Sequence, residues 1–141
     1  MLIVVLALTC CISVAFAANN TYGTYKSFTV DGSGYRNRSI VYYYSFSNTL
    51  QPRTEIGTDP YQTLPAGYLG ANCRLYKEST GALVGSTGYM YTDSSCVSCE
   101  FGADSYSGTS GAAYYSFGVS RVYSNGNYTT TDAYKSPSTN L

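Results

Sequence analysis

The chain has no histidine and no tryptophan. Without histidine it lacks the commonest general base near neutral pH and the commonest protein ligand for transition metals. Charge is scarce too: eight basic and eight acidic side chains among 141 residues, balancing to zero. A protein that grips nucleic acid by its phosphates needs a basic face, and this balance argues against one, as it argues against a polybasic membrane-surface protein. No Gly-x-Ser-x-Gly elbow occurs, and no glycine-rich phosphate loop precedes a helix; "GSTG" at Gly85–Gly88 and "GTSG" at Gly108–Gly111 read as turns. No stretch sustains a 3.6-residue apolar period, so helices are not expected. Neither catalysis, a metal nor a cofactor is expected.

What the chain does have begins with "MLIVVLALTCCISVAFA", apolar throughout and uncharged. Ala15 and Ala17 are small residues at the spacing of a signal-peptidase site, so residues 1–17 read as a signal peptide cleaved after Ala17. The run is shorter than the about 20 residues of a membrane span. Lipidation at Cys10 or Cys11, or an uncleaved anchor, are the alternatives. Cleavage leaves 124 of the 141 residues, enough for one domain with a real core. No second apolar run of spanning length follows, so a secreted, extracellular domain that does not insert in membrane is expected over residues 18–134, with a flexible tail over 135–141.

The remainder is rich in Gly, Ser, Thr, Asn and Tyr, the composition of strands and turns. Strands are expected over Tyr22–Val30, Tyr35–Ser47, Tyr68–Lys77, Ala82–Thr92, Ala112–Ser124 and Asn127–Tyr134. Asp31–Gly34 and Glu78–Gly81 are turns. Asn125-Gly126 is the preferred pair for a two-residue hairpin turn, because both positions need φ > 0; it makes Tyr123 and Tyr128 cross-strand partners. Residues 48–64, with Pro52 and Pro60, read as a long connection between sheets. Residues 93–111 read as loop, with one short strand near Glu100–Ala103. Short strands separated by turns point to an all-β fold, a single antiparallel β-sandwich of about six to eight strands.

Seventeen tyrosines raise the question of their use. Alternation in "IVYYYSFS" puts Ile40, Tyr42, Tyr44 and Phe46 on one face and Val41, Tyr43 and Ser45 on the other. The first face is the more apolar and is assigned to the core. Ala113, Tyr115, Phe117 and Val119 likewise form an apolar face opposite Tyr114, Ser116 and Ser120. Most tyrosines therefore read as structural, with Tyr43 and Tyr114 left as an exposed aromatic patch able to stack on sugar rings or anchor a protein partner.

Three cysteines follow the leader: Cys73, Cys96 and Cys99. In an exported protein they read as one disulfide and one spare thiol. Cys73 paired with Cys96 or Cys99 is favoured; a local Cys96–Cys99 ring is the next reading, and three free thiols the last. "CVSC" has the spacing of redox and zinc sites, but its flanks are acidic and loop-like, without a helix start to lower a thiol pKa. Asp93, Glu100 and Asp104 could hold calcium, yet read first as loop solvation. Asn19, Asn37 and Asn127 match the N-glycosylation pattern.

Two blocks, "LPAGYLGANCRLYKESTGALV" and "GAAYYSFGVSRVYSNGNYTTTDAYKSPSTN", resemble uncharacterised small exported proteins of Gram-positive bacteria, with their "G-x-x-A-x-L-Y" strand and terminal "YYS-x-G … NG-x-Y … SP-x-x-N" run. The chain is more weakly similar to lactococcin 972-like bacteriocins. The resemblance implies an exported β-rich protein and no particular activity. The function expected is a non-enzymatic secreted protein that binds a cell surface, a glycan or another protein. The alternative is a bacteriocin-like antagonist of neighbouring cells.

Overall fold

The computed structural model describes residues 19–102 and 104–141. The signal peptide expected over residues 1–17, with Cys10 and Cys11, lies outside the described residues. Among those described there is no helix. Fourteen strands run in order: β1 Asn19–Tyr22, β2 Lys26–Val30, β3 Ser33–Tyr44, β4 Thr49–Thr58, β5 Leu69–Asn72, β6 Arg74–Lys77 and β7 Leu83–Ser86. Then follow β8 Met90–Tyr91, β9 Ser98–Gly102, β10 Tyr106–Ser107, β11 Ala113–Ser116, β12 Val119–Ser124, β13 Asn127–Asp132 and β14 Thr139–Asn140.

These form three antiparallel sheets. In the first, the long strands β3 and β4 pair along ten residues, from Tyr35↔Thr58 to Tyr44↔Thr49. β2 and β1 succeed each other along the free edge of β3, and β9 and β10 along that of β4. The second sheet has the order β13-β12-β5-β8 and the third β14-β11-β6-β7. The expected single sandwich of six to eight strands is therefore replaced by three sheets and fourteen strands.

The physical reason is a crease. β5 and β6 are one extended stretch interrupted at Cys73; β11 and β12 are another, interrupted at Phe117-Gly118. β7 and β8, and β13 and β14, are divided at matching positions. The breaks lie side by side: Thr87 N donates to Cys73 O (3.1 Å), Phe117 N to Arg74 O (3.1 Å) and Ala133 N to Gly118 O (2.9 Å). The second and third sheets thus lie end to end, facing the first across the interior.

The core divides at the same crease. Val30, Tyr35, Ile56, Leu64, Leu69 and Val122 pack between the first and second sheets. Val41, Leu50, Leu75 and Tyr114 pack between the first and third. Asn37, Ser39, Thr54, Ser116, Ser120 and Ser136, all buried, form a polar belt in the core. Its side chains take up backbone groups that the interrupted ladders release: Gly118 N donates to Ser39 Oγ (2.9 Å), and Ser116 N to Ser136 Oγ (2.9 Å). Asn37 Nδ2 donates to Ser120 Oγ (3.0 Å) across the layers. Position 118 must be glycine, because a Cβ there would run into the Thr54 side chain.

Two further expectations change. The connection read over residues 48–64 is mostly β4, the ten-residue partner of β3. Pro52 is accommodated because β9 pairs with residues 53–57 and β10 with 49–50, so no neighbour on that edge needs its missing donor. The true crossing to the next layer is residues 59–68. The tail read as flexible from Lys135 instead buries Ser136 and Thr139 and pairs β14 with β11. The Asn125-Gly126 turn is present, with φ of 49° and 83°.

Candidate functional site

Along β3, Tyr35, Asn37, Ser39 and Val41 point inward, and Arg36, Arg38, Tyr42 and Tyr44 alternate outward. This reverses the face assigned to the core. Alternation states which residues share a face; which face turns inward depends on the opposing layer, here Leu75, Tyr114 and Leu141. Ile40 is fully buried although outward-pointing, flanked in register by Tyr22 and Arg53.

The exposed patch proposed from Tyr43 and Tyr114 is not present. Tyr114 is 3% exposed in the second core cluster, and Tyr43 packs against the same cluster. The Tyr114 hydroxyl accepts from Thr109 N (2.9 Å), and that bond holds its pKa below the usual phenol value. Phe46, placed in the core by its parity, is 84% exposed at the β3–β4 turn.

The outward face of the first sheet carries instead a row of rings and guanidinium groups. Arg36 stacks on Tyr25 at 4.6 Å and on Tyr61 at 5.1 Å, and its Nη2 donates to the Tyr61 hydroxyl at 2.6 Å. Arg38 stacks on Tyr25 at 4.4 Å and Tyr22 at 4.8 Å; Arg53 stacks on Tyr42 at 4.4 Å. Each pairing sets a cation on the electron-rich face of an aromatic ring.

Two carboxylates complete this face. Arg38 Nε and Nη2 both reach Glu55 Oε2 at 2.7 Å, and Tyr25 donates to Oε1 at 2.8 Å. Burial works to raise the Glu55 pKa, but the hydrogen bonds from Tyr25 and Arg38 outweigh it and hold the carboxyl below its usual range. Arg53 pairs with Glu100 at 2.7 Å. Arg36 has no carboxylate within ion-pair distance among the described residues. Its hydrogen bond to Tyr61 raises its already high pKa, so it is a permanent charge.

The opposite outer face has the same ingredients. Tyr123 is the register partner of Tyr128, as expected from the turn, with ring centroids 5.2 Å apart. Tyr68 lies 5.2 Å from Tyr123, and Tyr91 4.9 Å from Tyr128. Arg121 stacks on Tyr89 at 3.5 Å and donates to the Tyr91 hydroxyl at 3.0 Å. Further along, Tyr76 stacks on Tyr115 at 5.4 Å, under Lys135. The tyrosines therefore serve mainly as outer surface, with Tyr35, Tyr43, Tyr68, Tyr106 and Tyr114 contributing to the core.

The cysteines resolve to the local ring. Cys96 and Cys99 are bonded, with Cα atoms 6.6 Å apart. Cys73, favoured as a disulfide partner, is free and fully buried at the crease, its Sγ 3.2 Å from Phe101 O. Burial pushes its thiol up to about 11, so it is not a poised nucleophile. Glu100 is held by Arg53 on the outer sheet face, and no group of three His, Cys, Asp or Glu that could hold a metal gathers among the described residues. Asn37 is buried, which removes it as a glycan acceptor in the folded chain, whereas Asn19 and Asn127 are exposed.

Compared with family models, curated proteins and solved structures, the chain matches none.

Proposed function

We propose that this is a non-enzymatic secreted protein that binds a carboxylated glycan at a cell surface through the outward face of its first sheet. The observation that carries the reading is Arg36. Among the described residues no carboxylate lies within ion-pair distance of it, it is held flat by Tyr25, and it is capped by a Tyr61 that is 72% exposed. A guanidinium fixed in this way offers its fork to a planar carboxylate. The neighbouring rings suit the C–H faces of a pyranose, whose slight positive charge matches the negative face of an aromatic ring. The hydroxyls and ion-paired groups along this face supply donors and acceptors for a polyhydroxylated ligand.

The test is depletion of the purified protein by polygalacturonate beads, with fully methyl-esterified beads as the uncharged control. Binding is expected to the acidic beads, falling as salt rises. Arg36→Ala with Tyr61→Ala should weaken it by about tenfold, the loss expected of a buried-on-binding arginine anchor. Equal retention by both bead types, or by the double variant, would overturn the proposal.

A further inference from the structure

Of the five arginines, Arg38, Arg53 and Arg74 have carboxylate partners. The two without one, among the described residues, are Arg36 and Arg121. They lie on opposite outer faces and are built alike. Each guanidinium rests on tyrosine rings, Arg36 on Tyr25 and Arg121 on Tyr89. Each donates to the hydroxyl of an exposed tyrosine, Tyr61 and Tyr91 respectively. Among the described residues Lys26 and Lys77 also lack a carboxylate partner, but neither carries the flat fork of a guanidinium.

The second clamp is also shaped. Tyr91 is the register partner of Gly70, and a Cβ at Gly70 would run into the Tyr91 ring. The glycine thus lets the ring lie down on the sheet, where it reaches Tyr128. Beside it, Tyr68, Tyr123 and Tyr128 wall a shallow cavity of about 140 Å³ with Ala66 and Gly67, and Tyr128 is pinned there by donating to Gly67 O at 2.8 Å. This recess is too small and open to enclose a ligand, but its ring faces beside a fixed positive charge can stack on one side of an acidic sugar ring.

We infer that Arg121, Tyr89 and Tyr91 form a second binding site for the same carboxylated glycan, and that the protein bridges two glycan strands, one on each side. The bridging role rests on the reading of the Arg36 face given above. Two sites on opposite faces cannot be filled by one straight strand, so occupancy of both ties strands together, and linked sites hold a polymer far more firmly than either alone.

The experiment separates binding from bridging. Monomeric protein, verified by size-exclusion chromatography, is mixed with polygalacturonate beads; depletion reports binding and bead clumping reports bridging. The unaltered protein should do both. Arg121→Ala with Tyr89→Ala should still bind the beads, with weaker apparent affinity, and lose clumping. Arg36→Ala with Tyr61→Ala should also lose clumping, and the fourfold variant should lose binding. All substituted residues lie on outer faces, and an unchanged Tm certifies each variant as folded. Arg121→Lys, which keeps the charge and loses the flat fork, should clump weakly. If the Arg121 pair variant clumps like the unaltered protein, bridging through this site is overturned while the Arg36 reading stands. If instead the Arg36 pair variant binds and clumps unchanged, the first reading fails. No depletion of the unaltered protein overturns both.

Discussion

Glu55 shows how single residues set the outer face of the first sheet. Its carboxylate accepts from Arg38 and Tyr25 and is held below the usual carboxylate range. A carboxyl with a lowered folded-state pKa stabilises the fold fully above its unfolded value of about 4.3. That contribution fades as pH falls through the folded value. Glu55→Gln should therefore cost about 1–2 kcal/mol near neutral pH and flatten the loss of stability below about pH 4. Chemical denaturation at several pH values checks this, and parallel curves for the two proteins would refute it. At this scale the sequence shows that tyrosine must be doing most of the aromatic packing. It does not show where. By alternation Tyr43 and Tyr114 read as surface, yet they are core; Tyr42 and Tyr44 read as core, yet they face outward. Tyrosine carries both an apolar ring and a polar hydroxyl, so its parity partners and not its own character decide its side. The arginines were the missing signal: Arg36 and Arg38 share parity with Tyr42 and Tyr44, and charged residues mark the wet face.

Elements with short-range causes are readable. Asp31-Gly32 and Asn125-Gly126 are both two-residue turns with positive φ at each position, and the hairpins that they close follow. β4 is not readable locally: Pro52 within it and Pro60 just past its end mimic a connection, and only the gap between β9 and β10 makes room for Pro52. The crease is equally hidden, because Cys73 and Gly118 interrupt strands for the sake of contacts across the interior. Gly118→Ala should cost about 2–3 kcal/mol, the overpacking expected where Thr54 must yield. Thr54→Ala alongside should restore part of the loss, a coupling that a double-mutant cycle reads directly. Simple additivity of the two substitutions would show that the contact does not hold the crease.

For the molecule as a whole, the all-β class follows from composition, whereas the division into three sheets comes from packing two short sheets against one long one. β3 and β4 are the strands that span both apolar clusters without interruption. Their central amides should exchange with solvent most slowly. Those of β6 and β11 should form a separate, faster group from those of β5 and β12, since the crease divides their ladders. One uniform rate for all four would contradict two semi-independent halves. The three segments that pass between the layers, residues 59–68, 92–97 and 108–112, complete the picture. The first two are joined by the paired bonds of Leu64 and Cys96, and the disulfide to Cys99 fastens that junction to β9. Because the disulfide spans only three residues, it stiffens the point where the 92–97 crossing enters β9, and the layers themselves stay joined by core packing, the Leu64–Cys96 bonds and the three chain crossings.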